Sequence, residues 1–175
     1  MGCDIHSYIE RLEKNTWVKV SNLFSCTDWE KRWFKKDFKD HPFDWRSYGI
    51  FGFLADVRNY SYSPVISTPR GLPVDVSSEI KLEADDWGYD GHSFSFLLLD
   101  ELLNFDYDQI FWDKRITKQV KPNFWDGAAL AEDEETEGEH ISLRKFLDGA
   151  FFEQLEIMKK LGDPKKIRIV FWFDN

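Results

Sequence analysis

Asp4 and His6 stand two residues apart in the opening stretch MGCDIHSYIE. On a strand, that spacing turns both side chains to one face, ~6–7 Å apart along the chain. A carboxylate and an imidazole so placed can share a divalent metal through oxygen and nitrogen donors. They can also act as a base and the group that orients it. The structural alternative is a hairpin with a polar outer face.

Three further polar clusters lie in or beside turns, where functional groups are commonly presented on a scaffold. In DVRNYS (56–61), Arg58 and Asn59 follow an apolar run. An Arg–Asn pair suits a phosphate or a carboxylate, and a helix end closed by local bonds is an equal expectation. In STPRGLPVD (67–75), Arg70 lies between Pro69 and Pro73. Prolines stiffen such a loop, which then presents one guanidinium to a ligand or to a nearby acid. In DWGYDGHSFS (86–95), His92 offers an acid–base or metal-ligating nitrogen. Ser93 offers a nucleophile or, more simply, a helix cap. Trp87 and Tyr89 can stack on a ring or clamp a cationic group. His41 precedes a proline in a Lys-rich aromatic segment and His140 ends an acidic run, so both carry less weight.

The elements that must position these groups follow from patterning. Residues 3–10 alternate as a strand does, EKN at 13–15 can turn, and TWVKV at 16–20 alternates again, which predicts a hairpin. SYGIFGFLADV (47–57) reads as a short helix. SPVISTPRGLPVDVSSE (63–79), with three prolines and a glycine, must be extended or turned. Ser77 or Ser78 can cap a helix running to about Asp86. SFLLLDELLNF (95–105) reads as another helix, with Ser95 near its start. From Leu143 to Leu161 apolar residues recur at three and four, with Ser142 as cap and Gly162-Asp163-Pro164 as stop. KIRIVFWF (166–173) is apolar on nearly every residue, as a strand sheltered on both faces is. Strands at both ends with helices between predict an α+β fold: a mixed or antiparallel sheet from the N-terminal hairpin and a C-terminal strand, packed with three to four helices.

The length of 175 residues suggests one domain over 1–175. A 17% aromatic share points chiefly to ring-rich core packing. Seven acids and no Lys or Arg lie in DGAALAEDEETEGEH (126–140), so −7 of the net −9 is local there and the remainder carries −2. That run reads as a flexible, solvated loop. A nearly balanced body lacks the broad basic face that duplex nucleic acid needs, but a few local arginines can still hold a small phosphorylated ligand. Two cysteines, Cys3 and Cys26, are too few for a disulfide scaffold. No leader is read in the first residues, which turn polar within four positions, and no apolar run reaches membrane-spanning length. Gly2 brings N-myristoylation to mind, but His6 stands where that pattern wants Ser or Thr.

MGCDIH at the start, ADVRN at 55–59, STPRGLPVDVS at 67–77 and DGHSFS at 90–95 resemble a family of small proteins of bacteriophage and bacterial genomes. The likeness covers roughly the first 105 residues. It implies a phage-type accessory protein acting in the bacterial host cytoplasm. Asp4-Ile5-His6 is also similar to the first element of metallophosphoesterases, although Phe94 stands where their late motif has a histidine and a Gly-Asn-His element is missing.

The expected function is a phosphodiesterase-type hydrolase acting on a nucleotide-like ligand. In it Asp4, His6 and His92 are catalytic or metal-ligating, a divalent metal is the one expected cofactor, and Arg58, Asn59, Arg70, Ser93, Trp87 and Tyr89 hold the ligand. The alternative is a binding protein that sequesters a nucleotide signal or a host protein without chemistry. The expected partner is a small phosphorylated or nucleotide ligand, with neither duplex nucleic acid nor membrane, and with homo-oligomerisation left open.

Overall fold

The computed structural model describes residues 2–115 and 139–174. In chain order its elements are β1 (Ile5–Glu13), β2 (Thr16–Val20), β3 (Phe24–Ser25), α1 (Asp28–Phe34), β4 (Phe38–Lys39), α2 (Tyr48–Ala55), α3 (Ser78–Trp87), β5 (His92–Leu98), α4 (Leu99–Asn104), β6 (Ile110–Asp113), β7 (Glu139–Ser142), α5 (Leu143–Lys159) and β8 (Ile167–Phe173). The fold is α+β, with an antiparallel four-stranded sheet in the order β2-β1-β8-β5. Five α-helices are present among the described residues, against the three to four expected. No helix among those residues is long and apolar enough to cross a membrane. Most of the acidic run at 126–140 lies outside the described residues; Glu139 and His140 open β7.

Two compact units are formed. The first combines Met1–Arg46, Pro69–Asn104 and Phe151–Asn175; the second combines Ser47–Thr68 and Phe105–Ala150. The four-stranded sheet lies wholly in the first. Its hairpin closes through Lys14 and Asn15, both at positive φ (48° and 69°), the conformation that matches a two-residue turn to strand twist. Strand β8 is buried at every residue and pairs on both edges, as its unbroken apolar sequence predicts.

Directly paired residues share a face of the sheet. His6↔Trp172, Tyr8↔Val170 and Glu10↔Arg168 lie on one face, joined by Phe96 from β5. Helix α3 covers it with Ile80 and Ala84, and Leu72, Val76, Trp87 and Phe94 fill in around them. The opposite face carries Ile5, Ser7, Ile9, Leu97, Ile169, Phe171 and Phe173, all buried. In the same unit Phe151, Leu155 and Met158 of α5 recur at helical spacing and are buried, with Phe151 stacked on Phe43 at 4.9 Å between centroids.

The helix expected over 95–105 is instead a strand and a short helix, β5 followed by α4. Leu-rich sequence favours a helix only weakly. The free edge of β8 gives HSFSFLL (92–98) a ladder, with a bulge between His92 and Ser95, and only LDELLN (99–104) turns helical. Helix α5 begins where expected, with Ser142 Oγ accepting from the Lys145 amide at 3.3 Å. It is broken at Asp148, whose φ of 65° leaves helical space.

One charged residue interrupts the apolar run of β8. Arg168 is buried and donates from Nε to Glu10 Oε2 at 2.6 Å and from Nη1 to Asp75 Oδ1 at 2.7 Å. Its guanidinium lies over Trp17, 4.0 Å from the ring centre. The other oxygen of Glu10 accepts the Ser77 amide at 2.7 Å, so the start of α3 is tied to the sheet by Glu10 rather than by a serine hydroxyl. Breaking a buried pair by removing one partner costs ~3–5 kcal/mol, because the other charge is stranded. Glu10→Ala is therefore expected to destabilise the first unit by about that much in urea unfolding. A joint Glu10→Met, Arg168→Leu replacement should recover most of the loss.

Candidate functional site

Each residue singled out in the sequence has a definite place. Asp4 lies just before β1 and is held by a two-pronged pair with Arg46, Nε to Oδ1 at 2.8 Å and Nη2 to Oδ2 at 2.6 Å. The Arg46 bonds hold its carboxyl below the usual range, against a smaller opposing effect of burial. His6 Nε2 lies 3.1 Å from Asp174 Oδ2, and Asp174 Oδ1 also accepts the Asp4 amide at 2.8 Å. A carboxylate only accepts, so His6 Nε2 is the protonated nitrogen. Its ring is flanked by Trp87 at 4.1 Å and Trp172 at 5.8 Å.

His92 pairs in register with Phe173 and stacks on it at 6.1 Å. Phe173 lies on the face opposite His6, so the two histidines flank β8 from different faces of the sheet. A bulge between His92 and Ser95, with Ser93 at φ 53°, accommodates the extra residue. Ser93 is thus a bulge residue in a strand, not the helix cap expected of it. Its Oγ lies 3.0 Å from His92 Nδ1, while His92 Nε2 is buried with no hydrogen-bond partner among the described residues. Trp87 is part of the α3 packing and Tyr89 is fully exposed. Among the described residues no three His, Cys, Asp or Glu side chains gather as a metal site.

Arg70 holds the 69–75 loop against the sheet. It donates to both oxygens of Glu101 (3.0 and 2.6 Å) and to the Phe96 carbonyl at 3.4 Å, and its amide donates to the buried Ser95 hydroxyl at 3.2 Å. The Arg70 bonds hold the Glu101 carboxyl below its ordinary value, with burial opposing. Arg70 and Arg168 both line a cavity of about 450 Å³, where each faces an acid of its own.

Arg58 and Asn59 belong to the second unit. Arg58 donates to the Tyr60 hydroxyl at 3.0 Å. Asn59 closes the turn after α2: its amide donates to Asp56 Oδ1 and the Ser63 carbonyl, and its Oδ1 accepts the Ser63 amide and hydroxyl. Gly52 permits this, since a Cβ there would meet Asn59 Oδ1 at 2.8 Å.

An open groove lies elsewhere in the first unit, where the sequence reading placed no site. Strands β3 and β4 form a two-residue ladder, Phe24↔Lys39 and Ser25↔Phe38, and α1 stands between them. Thr27 and Glu30 cap α1 reciprocally, the capping box that TDWE spells out. Glu30 also accepts from Lys39 at 2.7 Å, and Lys39 reaches Asp44 at 2.7 Å. Asp40 fastens the base of this arm, accepting the Asn22 amide at 2.7 Å and Lys19 at 3.0 Å. The groove of about 1030 Å³ is lined by Asn22, Phe34, Lys36, Phe38 and His41 together with this ion-paired base.

His41 Nδ1 lies 3.0 Å from the Ser7 carbonyl. A carbonyl only accepts, so Nδ1 carries a proton and Nε2 is the nitrogen left for a ligand. Beside it, burial and then the nearby charges of Glu83 and Asp40 push the Tyr8 hydroxyl up to about 12. Lys36 makes no ion pair among the described residues. The signal that could have pointed here was the density of Trp, Phe and Lys over 27–44 without helical or strand period.

No protein-family model, curated protein or solved structure matches this chain.

Removal of Arg70 tests the structural role of its pair with Glu101. Glu101 has a depressed folded pKa, so its stabilising share is present above the ordinary carboxyl value of 4.5 and is lost as pH falls through the lower folded value. Arg70→Ala should cost roughly 1 kcal/mol at neutral pH, since the pair is partly solvated. The gap between variant and parent should narrow in unfolding curves taken below pH 4.5.

Proposed function

We propose that this chain is a binding protein for a small phosphorylated, ring-bearing ligand of the nucleotide kind, held in the groove between α1, β4 and His41. The observation that carries the reading is the pairing of unspent groups in one concavity. Among the described residues Lys36 has no ion-pair partner, Phe34 and Phe38 are exposed, and no bond is made by His41 Nε2. A site of this type needs apolar walls and a few polar groups that fix orientation, within a volume of about 300–1,000 Å³, and the groove is of that size. A phosphate would meet Lys36, a base would lie against the phenylalanines, and His41 Nε2 would accept from an exocyclic amine or a hydroxyl. The arginines expected to clamp phosphate are less suited, because Arg70 and Arg168 already neutralise acids of their own chain. On the resemblance of its N-terminal blocks, such a protein would be a phage-type accessory factor that sequesters a nucleotide signal in the host cytoplasm.

Calorimetric titration with linear and cyclic mononucleotides tests this. Lys36→Ala and Phe38→Ala should each weaken binding roughly tenfold, the worth of one charge-assisted or stacking contact, and Arg70→Ala should leave it unchanged. Ligand recovered intact after heat-denaturing the complex supports the reading; ligand recovered only as a cleavage product sinks it.

A hydrolase remains the second reading, favoured by one observation: His6 is oriented by Asp174 as a general base is oriented by a carboxylate. A divalent metal would then be taken up near Asp4 and His6. On that reading His6→Ala abolishes turnover of the same nucleotides with divalent cations present; on the binding reading neither protein forms product.

A further inference from the structure

The arm between β3 and β4 has an outer surface as unusual as its groove. Helix α1 buries none of its residues. Trp29 is 61% exposed, Trp33 66%, Phe34 61% and Phe38 47%. Three of these rings form one patch: Trp29 lies 6.1 Å from Trp33 and 6.0 Å from Phe34 between centroids. Apolar surface gathered this way marks a contact site more often than chance exposure. Between the rings stand Lys31, Arg32, Lys35 and Lys36, none of which has an ion-pair partner among the described residues. What sets them apart from the other cations of the unit is that they stand among exposed rings; Lys19, Lys39 and Arg46 find acids instead.

Interleaved rings and unpaired cations are what a single-stranded nucleic acid requires. Its bases stack on aromatic faces and its phosphates are met by Lys and Arg. We infer that the outer face of the β3–α1–β4 arm binds single-stranded DNA or RNA, with Trp29 and Trp33 as stacking platforms and Lys31, Arg32, Lys35 and Lys36 along the phosphates. A duplex suits the patch less, since its bases are already stacked and the rest of the acidic chain repels a long charged rod. The inference extends the groove reading, because Phe34, Lys36 and Phe38 belong to both: a nucleotide in the groove would be one unit of the strand that crosses α1.

The test is a length series read by fluorescence anisotropy. A labelled oligothymidylate of about ten nucleotides, a typical single-strand site size, is compared with unlabelled mononucleotides as competitors. The decamer should bind more tightly than any mononucleotide. Its affinity should fall about 50-fold between about 50 and about 200 mM salt, the loss for four phosphate contacts on a single strand. Trp29→Ala and Trp33→Ala should each weaken the decamer by on the order of tenfold or more while leaving the melting temperature in place, as both side chains are exposed. Failure of the decamer to bind at low salt overturns the inference. So does binding that ignores Trp29 and Trp33, or that a polyglutamate peptide or anionic vesicles displace as well as unlabelled strand does. Mononucleotide binding with no gain for the decamer overturns it too and leaves the groove reading standing. Decamer binding without mononucleotide binding keeps the inference and ends the groove reading.

Discussion

Strand β8 hydrogen-bonds along both edges and buries both faces, and much of the first unit follows from that. On a strand with no solvent side, a charge is costly unless the neighbours satisfy it. Arg168 is the charged residue of β8 and is satisfied, whereas Trp172 Nε1 is buried with no hydrogen-bond partner among the described residues. Glu10 comes from β1, directly opposite in the ladder, and Asp75 from the loop ahead of α3. Those bonds, with the Glu10–Ser77 contact, set where the proline-rich loop crosses the sheet and where α3 starts. The aromatic layer beneath α3 follows: Trp172 stacks with His6, Tyr8 and Phe94 at 5.6–5.8 Å.

The same economy explains why the site sought in the sequence is divided. Arginine and histidine at turns suggest chemistry, but a compact fold also needs cations to close loops onto a sheet. Arg46, Arg70 and Arg168 each end on a carboxylate of the first unit. Groups committed in this way are poorly placed to receive a phosphate, because a ligand would first have to displace the internal acid. Lys31, Arg32, Lys35 and Lys36 of the arm are among the cations that make no such pair among the described residues.

Legibility follows the range of the interactions. The β1–β2 hairpin, the capped start of α5 and the buried β8 rest on neighbours in sequence or on simple periodicity, and each can be read from the chain. The Asp4–Arg46, Arg70–Glu101 and Glu10–Arg168 pairs span 42, 31 and 158 residues, and no local pattern announces them. Strand β5 was misread because Leu-rich sequence suits either state until an unpaired edge of β8 decides it. The bulge at Ser93 and the break at Asp148 put non-glycine residues at positive φ, 53° and 65°, which the residue types themselves do not announce. The arm was hardest of all: rings in sequence speak for a core, and only the folded chain leaves Trp29 and Trp33 outside.

The 70–71 crossing has a further meaning for a protein that must stay dispersed. Strand β5 is an outer strand, and outer strands are templates onto which another chain can add. Here the Gly71 amide takes the Phe94 carbonyl at 2.8 Å and Arg70 takes that of Phe96. Backbone groups that would recruit a neighbour are therefore occupied by the chain's own loop. The Arg70–Glu101 clasp thereby holds the loop over that edge.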